Sequence, residues 1–184
     1  GLTWVKDYKS RDEYNSGPNT GGMGAITHPF CSYKKNDIYA LNIEIEKIII
    51  KTIVSINSQA NDNSHYNGFL YLGLMISVED NKPYLLEYNC RLGDPETQNL
   101  MVYLNKNNVD FLDLIGFDNS QYPDNFNLTF LDDKRYSGYC CTIVLAASGY
   151  PTNPRTGFYL DLSKVEETSN LKLFHAGTKV SNGS

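Results

Sequence analysis

The chain has 184 residues, 41% of them apolar and 12% aromatic, with a formal net charge of −5. Such a composition can build a core and is too apolar and aromatic for a disordered chain. The acid excess argues against tracking nucleic-acid phosphates, which takes a basic patch, and no apolar run approaches the roughly 18 residues of a membrane span.

The chain opens at Gly1-Leu2-Thr3-Trp4, without a charged and apolar leader, inside a predicted strand over 1–8. That abrupt start suggests a cut from something longer. Residues 9–25 are polar and glycine-rich. The run Ser16-Gly17-Pro18-Asn19-Thr20-Gly21-Gly22-Met23-Gly24 holds four glycines and a proline, and predicts a loop, not a helix or strand. Asn36 reads as the N-cap of a helix over 37–58, in which Ile38, Leu41, Ile45, Ile48, Ile49 and Thr52 recur at three- and four-residue steps along one face. Residues 61–67 form a polar connection. A hairpin follows: a β-rich run over 69–77, a turn at Glu79-Asp80-Asn81-Lys82, and a return over 83–90. Asp94 and Pro95 predict the N-cap and first turn of a helix to about Leu104, with a short helix over 109–115. Residues 117–135 are polar and loop-like. A buried strand is expected over 138–147, ended by Ser148-Gly149-Tyr150-Pro151, with further short strands over 157–161 and 171–175. The order of elements predicts an α+β fold, with the domain boundary in 117–135.

Four cysteines, Cys31, Cys90, Cys140 and Cys141, lack the C-x-x-C spacing of a zinc site and read as reduced thiols of a cytoplasmic protein. Cys140 and Cys141, adjacent in a strand, should face opposite ways. The N-x-S/T sequons at Asn127 and Asn182 read as chance in an Asn-rich chain.

The chemistry gathers in Leu85-Leu86-Glu87-Tyr88-Asn89-Cys90-Arg91. Strand alternation projects Glu87, Asn89 and Arg91 to one face and Leu86, Tyr88 and Cys90 to the other. A carboxylate, an amide oxygen and a guanidinium suit a magnesium–phosphate site, since Mg²⁺ takes hard oxygen ligands and Arg neutralises phosphoryl charge. The same pattern also fits the polar face of an ordinary edge strand. The glycine run could bring backbone N–H groups to phosphates or be a plain surface loop. It is neither a Walker A loop nor a dinucleotide fingerprint. The helix start after Arg91-Leu92-Gly93-Asp94 could receive an anion or be a simple capped end.

Five blocks then carry a resemblance. They are Gly17 to Ala25, Gly68 to Met75, Glu87 to Gln98, Ala147 to Pro151 with Arg155-Thr156-Gly157, and Phe174-His175-Ala176-Gly177-Thr178. In order and spacing they closely resemble the glycinamide ribonucleotide synthetases, which are ATP-grasp ligases. The resemblance implies the C-terminal part of an ATP-grasp domain over 1–116, an antiparallel sheet with helices. A linker and part of a small β-rich domain would follow over 117–184. It implies ligation of glycine to 5-phosphoribosylamine at the expense of ATP, through an acyl phosphate, with Mg²⁺ or Mn²⁺ and in the cytoplasm. Glu87 and Asn89 would be the metal ligands and Arg91 the phosphate-stabilising arginine. Asp7 and Lys9 match an acidic-x-Lys element bordering the site, while Asn19, Thr20, Gly21, Gly22 and Asp94 would touch substrates. The metal set is thin, because the position where many ATP-grasp enzymes keep a second ligand falls near Gly73. Other expected partners are the family's N-terminal domain and the adenine-binding half, which would precede this chain in the same polypeptide. Neither nucleic acid nor membrane is expected. Two other readings are a different ATP-grasp ligase or carboxylase of purine metabolism, and a non-catalytic ATP-grasp-like binding module.

Overall fold

The computed structural model describes residues 4–27, 34–59, 66, 68–110 and 138–180. In chain order these form β1 (Val5–Asp12), β2 (Ser16–Thr27), α1 (Lys35–Ser58), β3 (Tyr71–Ile76), β4 (Pro83–Asn89), α2 (Glu96–Lys106) and β5 (Cys141–Ile143). The strands make two small sheets, β1-β2-β5 and β3-β4, and every pairing among the described residues is antiparallel. This is the expected α+β class. No helix among the described residues is long and apolar enough to cross a membrane.

The glycine-rich run is a strand, contrary to expectation. The β1–β2 hairpin turns over at Glu13–Asn15, where Tyr14 and Asn15 take left-handed φ values of 57° and 56°. The ladder from Val5↔Thr27 to Tyr8↔Gly24 overrides the weak strand propensity of the glycines. The loop character survives as a bulge. Between the pairs Tyr8↔Gly24 and Ser10↔Asn19, Lys9 alone faces Thr20, Gly21, Gly22 and Met23. The Thr20 hydroxyl donates to the Lys9 carbonyl at 2.9 Å and accepts the Gly22 N–H at 3.0 Å, replacing ladder bonds lost there.

Helix α1 lies on the β3–β4 hairpin. Leu41, Ile45 and Ile49 are buried at the predicted spacing, with Trp4, Ile53, Leu72, Leu74 and Ile76 packed against them. Lys34, not Asn36, occupies the N-cap position, and no side chain caps it. Helix α2 covers the β1–β2 sheet, and its buried Asn99 donates to the Ala25 carbonyl at 3.0 Å. The N-cap of α2 is Pro95 and not Asp94. The Asp94 carboxylate reaches forward instead and accepts from Gln98 Nε2 at 2.9 Å, while the Gly93 carbonyl accepts the Thr97 N–H at 2.9 Å.

The long buried strand expected over 138–147 shrinks to the three residues of β5. It pairs with β2 from Ile26↔Cys141 to Gly24↔Ile143, and the Val144 N–H reaches the Met23 carbonyl at 3.0 Å. Beyond that point β2 bulges away and offers no further ladder. Ile143 and Leu145 are 75% and 92% exposed. Residues 157–161 and 171–175 join no ladder. Cys140 is buried and Cys141 exposed, as alternation predicts, and both are free thiols, as is Cys90. Val109 and Asp110 are not helical. The rest of the expected short helix, Cys31, the 117–135 boundary and most of 61–67 lie outside the described residues.

Candidate active site

The register of β3–β4 decides which side chains are free for chemistry. Cross-strand partners share a face. Leu72, Leu74 and Ile76 pack on α1, so their partners Tyr88, Leu85 and Pro83 belong to the α1 side. The Tyr88 hydroxyl accordingly meets the hydroxyl of Thr52 on α1. Tyr71 and Gly73 pair with Asn89 and Glu87 on the opposite side. Strict alternation from Leu85 would have sent Glu87 toward α1. The ladder instead shifts between Gly73 and Leu74, which leaves Leu86 as an extra residue, 64% exposed. The expected sharing of a face therefore holds for Glu87 and Asn89 but not for Arg91, which lies past the end of β4, and Leu86 does not join the α1 side.

Glu87 and Asn89 sit side by side, with Asn89 Nδ2 donating to Glu87 Oε1 at 3.3 Å. Beneath them is Gly73, where a Cβ would stand 2.8 Å from Glu87 Cγ. The glycine at the position expected for a further ligand thus makes room for the Glu87 side chain. A carboxylate and an amide with this clearance fit a hard divalent cation, which takes oxygen donors and is commonly held by few protein groups plus phosphates. The described residues hold no cluster of three or more metal-ligating carboxylates, histidines or cysteines.

The same face meets the start of α2. The Tyr71 hydroxyl donates to Glu96 Oε1 at 2.8 Å, and Glu96 is 6% exposed. Burial first, then the bond to Glu96 and the charges of Glu96, Asp7 and Glu87, push the Tyr71 phenol far above its usual range. Of these carboxylates only Glu96 bonds to the tyrosine, while Asp7 and Glu87 act on it through charge. Asp7 Oδ2 lies 3.5 Å from Lys9 Nζ, and only 10% of the Asp7 side chain is exposed. Burial, followed by the charge of Glu96, holds the Asp7 carboxyl above the usual carboxylate range, and Lys9 opposes part of that shift.

Arg91 lies just past β4. It donates to the Leu92 carbonyl at 3.0 Å and lines a cleft of about 680 Å³ with Gly21, Gly93, Asp94, Gln98 and Phe174. Among the described residues it makes no ion pair with Asp94 or Glu96. Thr20 serves the hairpin bulge. The Gly21 N–H donates to the Tyr150 hydroxyl at 3.3 Å. Asn19 pairs with Ser10 at an exposed stretch, away from the cleft lining. Gly22 has a φ of 140°, and a Cβ there would lie 2.4 Å from Pro95 Cδ and 3.1 Å from Asp7 Oδ1. Of the residues named from sequence, Asp7, Lys9 and Gly22 form one group, Glu87 and Asn89 a second, and Gly21, Arg91 and Asp94 a third around the cleft. Sequence reasoning passed over Glu96, Tyr71 and Tyr150. Glu96 looks like routine acid in a first helical turn, and only its burial distinguishes it.

A hairpin with a polar face, a bulged second hairpin and the start of α2 are thus brought together. The profile for the phosphoribosylglycinamide synthetase ATP-grasp (A) domain matches residues 1–97. The phosphoribosylamine–glycine ligase of Clostridium acetobutylicum is 38% identical over 179 residues, covering 97% of this chain and 38% of the relative. That of Escherichia coli K12 is 36% identical over 175 residues, covering 95% and 37%. The crystal structure of phosphoribosylamine–glycine ligase from Thermotoga maritima matches with a TM-score of 0.60 and 34% identity, over 82% of this chain and 33% of that one. The chain belongs to the phosphoribosylglycinamide synthetase family of ATP-grasp proteins. It spans somewhat over a third of the length of these curated relatives, 38% and 37%.

Proposed function

We propose that this chain forms the metal- and substrate-facing part of an ATP-dependent ligase that joins glycine to 5-phosphoribosylamine. The γ-phosphoryl group moves from ATP to the glycine carboxylate, breaking the β–γ P–O bond and releasing ADP. The amine of phosphoribosylamine then attacks the acyl carbon, phosphate leaves, and the amine loses a proton. The product is glycinamide ribonucleotide. Glu87 and Asn89 would hold Mg²⁺ or Mn²⁺, which when bound offsets phosphate charge. Arg91 would bind the transferring phosphoryl group through its planar fork. Asp94 and Gly21, on the cleft wall, would contact substrate. Lys9, Asn19 and the bulge residues Thr20 and Gly22 would border the site. The reading places residues 1–116 in the ATP-grasp domain and 117–184 in a linker and a β-rich domain, with the protein in the cytoplasm.

The observation that carries this reading is the face switch at Leu86, which frees Glu87 and Asn89 for a cation within a family-matched segment. It is tested on the full-length polypeptide by following ADP release. Release should require glycine, phosphoribosylamine and a divalent cation together. Glu87→Gln should lower turnover by about 10²–10³ and raise the cation concentration required. ADP release that ignores glycine, or near-normal Glu87→Gln turnover at ordinary magnesium, would overturn the assignment.

A further inference from the structure

Behind the cation face lies a second polar group with unmet bonding. Glu96 is 94% buried by its 6% exposure, and its Oε2 has no hydrogen-bond partner. Both Asp7 carboxylate oxygens are likewise buried and poorly satisfied, with only weak contacts to the Tyr8 backbone and to Lys9 Nζ, 3.5 Å from Oδ2. Buried carboxylate oxygens left without donors are costly and call for a proton or a cation. Tyr71 gives its proton to Glu96 Oε1, so its oxygen keeps free lone pairs beside them.

We infer that Asp7, Glu96 and Tyr71 form the anchor for the ammonium group of the amino-acid substrate, a role that rests on the ligase reading above. A primary ammonium has three N–H donors and no acceptor. An Asp7 oxygen, Glu96 Oε2 and the Tyr71 hydroxyl supply three acceptors. A metal ion is less well served, since a divalent cation takes six or more oxygens and, among the described residues, no third carboxylate joins this pair. The anchor adjoins the strand that carries Glu87 and Asn89, through the pair Tyr71↔Asn89. An amino acid held there by its nitrogen would direct its carboxylate toward the phosphoryl donor. Its cover is the bulge of β2, with Gly22 set against Asp7 and Pro95. The tight seat around Gly22 leaves little space for a substrate side chain, which suits glycine.

The test uses Glu96→Gln and Asp7→Asn in the full-length enzyme. Both substitutions keep the shape and remove the charge. Each should raise the glycine KM about 10- to 100-fold, as expected for losing a charge-assisted hydrogen bond. The KM for ATP and the cation requirement should stay near wild type. Glycolate replaces the ammonium with a hydroxyl, so its inhibition constant should change by less than the glycine KM does. Melting curves recorded beside the rates identify variants that are folded. Folded variants with a glycine KM within about twofold of wild type overturn the anchor. So does a shift in cation requirement larger than the shift in glycine KM, which would return the pair to the metal site. If wild-type enzyme shows no glycine-dependent ADP release, the ligase reading itself fails, a result distinct from either.

Discussion

Arg91 is the residue whose charge has the clearest chemical use and the fewest competing partners. Its hydrogen bond runs to the neighbouring Leu92 carbonyl, and the guanidinium lines the cleft at the start of α2. A contact that strengthens as charge develops on the phosphoryl group acts on the chemical step more than on binding. Lysine cannot reproduce two parallel bonds to phosphate. Arg91→Lys should therefore lower the maximal rate by about 10²–10³ with small changes in the Michaelis constants. A variant that loses thermal stability while keeping its turnover per folded molecule would show a structural role instead.

Asp7 makes the opposite kind of prediction, because its burial works against the fold. Its carboxyl is held above the ordinary value of 3.8, with burial as the largest cause and the charge of Glu96 next. The folded state therefore binds this proton more tightly than the unfolded chain does. Stability from Asp7 is full below about pH 4 and is lost as the pH rises through the raised folded value. Asp7→Asn has no proton to lose. It should melt above wild type at pH 7, and the gap should close as the pH falls toward 4. A melting series across that range checks the sign. An advantage that persists unchanged at pH 4 would mean that Asp7 is not the titrating group. Together with a raised glycine KM, the result would show stability given up for function at one position.

At the scale of elements, periodicity made α1 and the β3–β4 hairpin legible. Leu41, Ile45 and Ile49 recur at helical steps, and β-rich runs flank an obvious turn. What the sequence hid were departures from regularity. The glycines of 16–24 read as a loop, because propensity is local and the ladder to β1 is not. The register shift at Leu86 is invisible in composition, since it depends on a partner strand. The strands expected after 138 rested on apolar content alone, and β2 has too short a straight edge to pair with them. Glu96 was missed because its distinguishing property is burial beneath Tyr71.

The Gly73 pairing gives the element-scale test. A methyl group at 73 would crowd Glu87 Cγ at 2.8 Å, and the strand offers no easy retreat. Gly73→Ala should push the carboxylate off its seat, so the cation requirement should rise severalfold or more while the α1 core stays folded. Circular dichroism beside a magnesium titration separates these effects. Normal magnesium dependence in the folded variant would mean that Glu87 tolerates the displacement.

At the scale of the molecule, the site is assembled from pieces that pack differently. The β3–β4 hairpin is anchored by α1, and the β1–β2 sheet is covered by α2. The bond from Tyr71 to Glu96 joins the two halves at the polar face. The family match over 1–97 spans both halves through the first residues of α2. Family motifs made the segment's membership readable, whereas the way its polar residues divide into three groups came from packing.

The extra residue Leu86 has a consequence for how such a strand can change over time. It works like a phase shift in a two-beat rhythm. Before it, odd-numbered positions answer to the hydrophobic interior, and after it the odd-numbered positions stand on the opposite, polar face. The two stretches are thereby released from each other. Drift that retunes packing around Pro83 and Leu85 need not disturb Glu87 and Asn89. Losing the single spacer would swap the roles at once, steering a carboxylate into the greasy interior and Tyr88 toward the polar face.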